Sequence, residues 1–373
     1  MNEKEIGEIR RRYRANKNNI HRVCGCFVNE QKEIISEFDQ SLGLMSEEEA
    51  DQILTVLRKA LSGGVGRNLL EVEFTTAQVM ESEEHRLLSE LRGSELKDGE
   101  SVHALYEKIV SSLEFQGNYV ILLVHDRYDI FSYSADGEKG DSSEVFSYVL
   151  CCICPVKEGK PALSYYLPGK CFRSIGTDTM IAPPALGFMF PAFEDHSANI
   201  YKAWYYTKDL TDSHEELVTA LFQGEIPMPA AEQQVTFGSV LEQAMEEDCN
   251  LRVVRSVQSQ VRQMVEAHKE EKKEEPLVLT KEEAGDMLRY CGVPEERVTV
   301  FEEKYEEAFG KDAQLPPGNL VAGKALRVKT PEVAIQVTPG CGDLVETRVI
   351  DGVKYILVRA DGEVVVNGVN VHI

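Results

Sequence analysis

The sequence predicts an α+β protein: an antiparallel sheet domain with flanking helices, a helical middle segment, and a C-terminal helix pair followed by a β-meander. Three observations carry this. From Glu114 to Val156 the chain is at its most apolar and β-branched. There Tyr119 to Val124 is a continuous apolar run too short for a buried helix, with Ser147 to Val156 as its partner strand. The polar stretch Ser134 to Ser143, with Gly137 and Gly140, has the composition of a loop joining them. Phe237 to Lys273 is the longest helical pattern. Finally, Asp351-Gly352, Asp361-Gly362 and Asn367-Gly368 are three type I′ turn signals between short strands. At 373 residues the chain exceeds what one core normally serves. The expected divisions are 1–225 (sheet domain), 226–275 (long helix and charged linker) and 276–373 (two helices and meander).

Taken in order, Asn2 to Arg14 reads as an amphipathic helix with Ile6, Ile9 and Tyr13 on one face. Arg22 to Asn29 reads as a strand whose period of two puts Cys24 and Cys26 on a shared face. Ser46 and Glu49 form a capping box for a helix carrying Ile53, Leu54, Leu57 and Leu61. Leu69 to Phe74 is a strand and Ser101 to Ser112 a helix. Leu163 to Phe172, Leu186 to Phe193 and Asn199 to Thr207 are further strands, and Ser213 caps a helix through Phe222. Val254, Val257, Val261, Met264 and His268 are spaced as a short heptad seam that must pack on something, within the chain or against a second copy. His268 to Pro276 is charged and suits a linker. Thr280 and Glu283 cap a helix to Cys291, and Pro294 opens another that stops at Gly310.

Forty basic against 63 acidic side chains give a net charge of −23, which repels phosphate backbones at long range. One segment departs from this. Ile9 to Asn29 holds no Asp or Glu, and its six cations, Arg10, Arg11, Arg12, Arg14, Lys17 and Arg22, leave −29 to the rest. Any nucleic-acid contact is expected there, each cation neutralising a phosphate. The competing expectation is that this basic helix face docks on its own acidic body. MNEKEIGEIRRRYR lacks the apolar core of a secretory signal and no 18 apolar residues run together, so a cytoplasmic protein without membrane partners is expected.

The nine cysteines sit largely in apolar segments, which suits reduced, buried thiols. Cys24, Cys26, Cys152 and Cys154 would supply four thiolates to a zinc ion only if their strands were neighbours, and an extended C-x-C holds its sulfurs too far apart for easy tetrahedral closure. No cofactor is expected. Two polar clusters at expected strand ends, His125-Asp126 with Asp129 and Glu194-Asp195-His196, would supply metal ligands or an acid and base if they converged. Solvated turn residues are the competing reading. Ser62-Gly-Gly-Val-Gly-Arg67 resembles a phosphate cradle in composition, but it follows a helix, so a glycine C-cap is expected instead.

At MNEKEIGEIRRRY, RVCGCFVN, LSGGVGRNLLEVEF and DLVETRVIDGVKYIL the chain resembles a bacterial family catalogued only as a domain of unknown function, nearly end to end; that resemblance implies no chemistry. It is more distantly similar to the bacterial nucleoid-associated protein family. The shared features are a helix ending in small residues and Gly66-Arg67, then a strand at Gly117-Asn-Tyr-Val-Ile-Leu-Leu-Val-His125, an apolar partner strand, a helical middle and a closing meander. Asp126 and Arg127 depart from the aromatic residue expected after the His. This likeness implies architecture more than activity.

The leading expectation is thus a cytoplasmic, non-catalytic binding protein associated with nucleic acid or the nucleoid through the basic segment. The alternatives are a metal-dependent hydrolase using His125, Asp126, Glu194, Asp195 and His196, and a scaffold pairing through the Val254 to His268 seam.

Overall fold

A computed structural model describes residues 3–371 apart from 15–16, 134–138, 160–161, 176–178, 195, 225, 272–276, 312, 322–325, 339, 361 and 367–368. It divides into two compact units, one spanning Met1–Pro229, the other Ala230–Lys273 with Leu277–Ile373.

The first unit runs α1 (Glu3–Arg12), β1 (Arg22–Val28), β2 (Ile34–Ser41), α2 (Glu47–Lys59), β3 (Leu69–Glu73), α3 (Thr76–Glu81), α4 (Glu83–Gly93), α5 (Gly99–Ser112), β4 (Tyr119–Tyr133) and β5 (Lys139–Glu158). It continues through β6 (Ala162–Tyr166), β7 (Cys171–Ile175), β8 (Thr179–Ile181), β9 (Leu186–Phe190), β10 (Ala192–Glu194), β11 (Ser197–Asn199), β12 (Lys202–Thr207) and α6 (Glu215–Phe222). The main sheet is antiparallel, in the order β2-β1-β4-β5-β9-β12-β3, with β8 beside β5. The apolar runs expected to pair at its centre do so as β4 and β5.

Both faces of that sheet are covered, which is why β4 reads as an unbroken apolar run. Tyr119, Ile121 and Leu123 enter one core with Leu88 and Leu91 of α4, Leu105 and Ile109 of α5, and Leu217 of α6. Val120, Leu122 and Val124 enter the other with Ile6 and Ile9 of α1 and Leu54 and Leu57 of α2. Gly25 of β1 faces Phe38 of β2, and a Cβ there would collide with the Phe38 ring and the Ile121 carbonyl. The ring fills the place of the missing side chain.

Several elements differ from expectation. β4 and β5 run well past the core, so residues 139–143 of the expected loop are strand, while 134–138 lie outside the described residues. Leu163 to Phe172 is not one strand but the hairpin β6–β7, turned at Leu167–Lys170, where Pro168 and Gly169 stop the extension. Ser213 does not cap α6; the helix starts after His214 in left-handed conformation (φ 53°), and the Ser213 carbonyl accepts the Tyr205 hydroxyl at 2.8 Å.

The second unit comprises α7 (Ala230–Met245), α8 (Leu251–Glu271), α9 (Lys281–Tyr290), α10 (Glu295–Phe309), α11 (Pro317–Leu320), β13 (Leu326–Lys329), β14 (Ala334–Val337), β15 (Val345–Ile350), β16 (Val353–Val358), β17 (Val364–Val366) and β18 (Val369–Val371). The expected long helix breaks between α7 and α8, where the Asn250 side chain accepts the amides of Arg252 and Val253 and starts a new helix. Val257 and Val261 are buried with Phe237, Leu241, Phe301 and Tyr305, flanked by Val253 and Met264. Val257, Val261 and Met264 of the expected seam therefore pack inside the unit, with Val253 beside them, whereas Val254 and His268 are half-buried outside that core. The meander resolves into three separate two-stranded hairpins. Asp351 and Gly352 both have positive φ (51° and 79°), as a type I′ turn requires. Asp361 and Asn367-Gly368 lie outside the described residues. Among the described residues, no helix is long and apolar enough to cross a membrane.

Candidate functional site

α1 lies on the sheet through Ile6, Ile9 and Tyr13, and its basic residues divide by direction. Arg12 turns inward: Nε donates to Asp126 Oδ2 at 2.9 Å, and Nη2 donates to Oδ1 at 3.0 Å and to the Arg127 carbonyl at 2.8 Å. The guanidinium also sits 4.5 Å from the centre of the Tyr128 ring. The Asp126 carboxyl, fully buried, further accepts the Asn19 amide at 2.8 Å and the Tyr148 hydroxyl at 3.0 Å. Burial pushes the Tyr148 phenol well above its ordinary value, keeping it a donor. Arg22 pairs with Asp39 of β2, and Arg11 donates to the Gly7 carbonyl at 2.8 Å. Arg14 and Lys17 are exposed and Arg10 half-buried. Two of the six expected phosphate-binding cations thus hold carboxylates of their own chain.

The strand-end clusters are built differently from expectation. His125 and Asp126 do not end a strand, because β4 passes through them, and successive side chains of a strand point to opposite faces. Asp126 faces α1. His125 faces α4, its charge environment set by Glu95 and Arg92. His125 Nε2 lies 2.8 Å from Ser147 Oγ, and burial lowers its pKa, favouring the neutral imidazole. This is the spacing of a nucleophile and its base, but no described residue hydrogen-bonds Nδ1, so no third group orients the ring. Asp129 is exposed. Glu194 accepts from Asn199 and, at 3.3 Å, from Lys202, which also reaches Glu71 at 2.8 Å. His196 is exposed, 3.8 Å from the Glu8 carboxylate, and Asp195 lies outside the described residues.

Among the described residues, no three His, Cys, Asp or Glu side chains group as metal ligands. The cysteines show why: Cys24 and Cys26 face one core with Cys151, whereas Cys152 and Cys154 face the other. The four thiols considered for zinc stand on opposite sides of the sheet. Burial pushes the Cys26 and Cys154 thiols up to about 12, as for small apolar side chains. At Ser62 to Arg67, Gly63 (φ 110°) and Gly66 (φ 68°) form a turn into β3, not the start of a helix.

The β6–β7 hairpin was not singled out by sequence. It pairs Tyr165 with Phe172 and Ser164 with Arg173. Leu163, Tyr165, Leu167 and Phe172 are 74%, 51%, 77% and 69% exposed, an unusual display for large apolar side chains in sequence neighbours. The Tyr165 and Phe172 rings meet edge-on at 5.3 Å, and the Arg173 guanidinium lies 3.7 Å over the Tyr166 ring. Its sequence signal is the absence of Asp or Glu from Ala162 to Ile175, in a chain with 63 of them.

Sheet, helices and hairpins define an α+β protein with helices on both faces of an antiparallel sheet. The sequence matches the family described as Domain of unknown function (DUF4317) over residues 1–369, and the chain belongs to that family. The match brings no chemistry with it and does not show the likeness to nucleoid-associated proteins. No curated protein matches the chain.

Proposed function

We propose that the protein is a non-catalytic binding protein that docks its β6–β7 hairpin onto an acidic protein surface. The exposed apolar face of that hairpin carries the reading, since contiguous exposed apolar surface marks interaction sites. A two-stranded hairpin is at best marginally stable by itself, so a partner surface would also complete its packing. Lys170 at the turn and Arg173, which lies over the Tyr166 ring on the hairpin's other face, stand next to the apolar anchors with no acid among them, which suits a partner with carboxylates around an apolar pocket. The basic segment supports a nucleic-acid role less well, because Arg12 and Arg22 are engaged on Asp126 and Asp39.

A photo-crosslinking amino acid placed at Phe172 in cells tests this. A discrete adduct with another, acidic protein is expected, lost when Lys170→Glu and Arg173→Glu are combined and absent with the crosslinker at exposed Ile35. The reading fails if position 172 gives no adduct, gives only dimers of this chain or nucleic acid, or gives an adduct indifferent to the charge reversal.

A further inference from the structure

We propose that the second unit holds a compact phosphate-bearing ligand in the cleft between α8 and the loop joining β14 to β15. The faces of α8 are divided by its sequence. Val253, Val257, Val261 and Met264 pack into the core. Arg252, Arg255, Ser256, Ser259 and Arg262 recur at helical spacing on the opposite arc and line a cleft of about 440 Å³. From Leu251 to Val265 there is no Asp or Glu, so this is a third acid-free stretch in an acidic chain, after Ile9 to Asn29 and Ala162 to Ile175.

The far wall is formed by Leu326, Thr338, Gly340, Gly342 and Asp343. A Cβ on Gly342 would lie 3.5 Å from Arg255 Nε, ordinary van der Waals contact, so the loop backbone runs directly beside the guanidinium. Arg255 is held from behind by the Val345 carbonyl at 3.4 Å and already pairs with the Asp343 carboxylate. The chain thus supplies an anion of its own to the site. Asp343 is 85% exposed, and an ion pair so open to water is held weakly enough for a better anion to replace it.

Guanidinium forks match phosphate oxygens two at a time, and the serine hydroxyls add donors on the same wall. The volume is that of a small-molecule site. A long polyanion would meet the repulsion of a protein carrying −23, whereas a compact one enters the cleft without crossing that surface. The ligand class inferred is a small molecule with one or two phosphate groups, independent of any partner on the β6–β7 hairpin.

Titration calorimetry of the full chain with pyrophosphate at low ionic strength, with oligothymidylate in a parallel run, tests this. About one pyrophosphate per chain is expected, weakened about tenfold or more by Arg252→Gln with Arg262→Gln at unchanged circular dichroism. Arg252→Gln alone, at an exposed position, should weaken binding in the same direction. Asp343→Asn should tighten binding about two- to fivefold by removing the internal competitor. Absence of pyrophosphate binding, equal binding by the double variant, weaker binding by Asp343→Asn, or binding of oligothymidylate alone would each overturn the proposal.

Discussion

Asp126 has no exposed surface and satisfies its oxygens with Arg12, Asn19 and Tyr148, so one buried carboxyl ties the start of the chain to the middle of the sheet. Removing one partner of such a pair leaves the other charge uncompensated. Asp126→Asn is expected to cost about 3–5 kcal/mol in urea unfolding, and Arg12→Gln to destabilise in the same direction. His125, one residue away on the other face, gives a pH effect. Burial depresses its folded pKa below the ordinary 6.5, so its contribution is complete above about 6.5 and is lost as pH falls toward the folded value. Wild type should therefore lose more stability than His125→Gln between about pH 7 and about pH 5. The raised pKa of His103 acts oppositely in both proteins and cancels in the comparison. At this scale the sequence showed that Arg10 to Arg22 was anomalous and named self-docking as one outcome. It could not show which arginine turns inward, because that depends on Asp126, 114 residues away.

Among the elements, the capping boxes at Ser46 and Thr280, the central strand pair and the Asp351-Gly352 turn were legible because each is specified by neighbours in sequence. Two of the misread elements turn on single local interruptions: Pro168-Gly169 inside an apolar run, and Asn250 inside a helical pattern. The periodicity around each outvoted the interruption. The valine stripe of α8 was visible, but a stripe does not name its partner. With Val257 and Val261 buried against α7 and α10, Val257→Asp would place a carboxylate in the core of the second unit. It is expected to abolish cooperative unfolding of the second unit while leaving the sheet of the first intact. Amide hydrogen exchange checks this: protection lost across α7 to α10 and retained in β4 and β5.

Across the whole molecule, net charge and the burial of Cys24, Cys26, Cys151, Cys152 and Cys154 followed from composition, whereas Cys171 and Cys341 are exposed and the candidate sites were not legible. The β6–β7 hairpin and the Leu251 to Val265 stretch of α8 are both marked by missing acids, a signal that stands out only once the surrounding residues are known to fold together. The strand-end clusters misled for the converse reason, since His125 and Asp126 are adjacent in sequence yet separated by the thickness of the sheet. The Arg12–Asp126 tie also carries a consequence in time. During synthesis α1 leaves the ribosome well before β4, β5 and β10, so the core that its apolar face enters is complete only after all three have emerged. Through that interval Ile6, Ile9 and Tyr13 are open to chaperones and to neighbouring nascent chains, and the closure that ends it is a late, long-range step of folding.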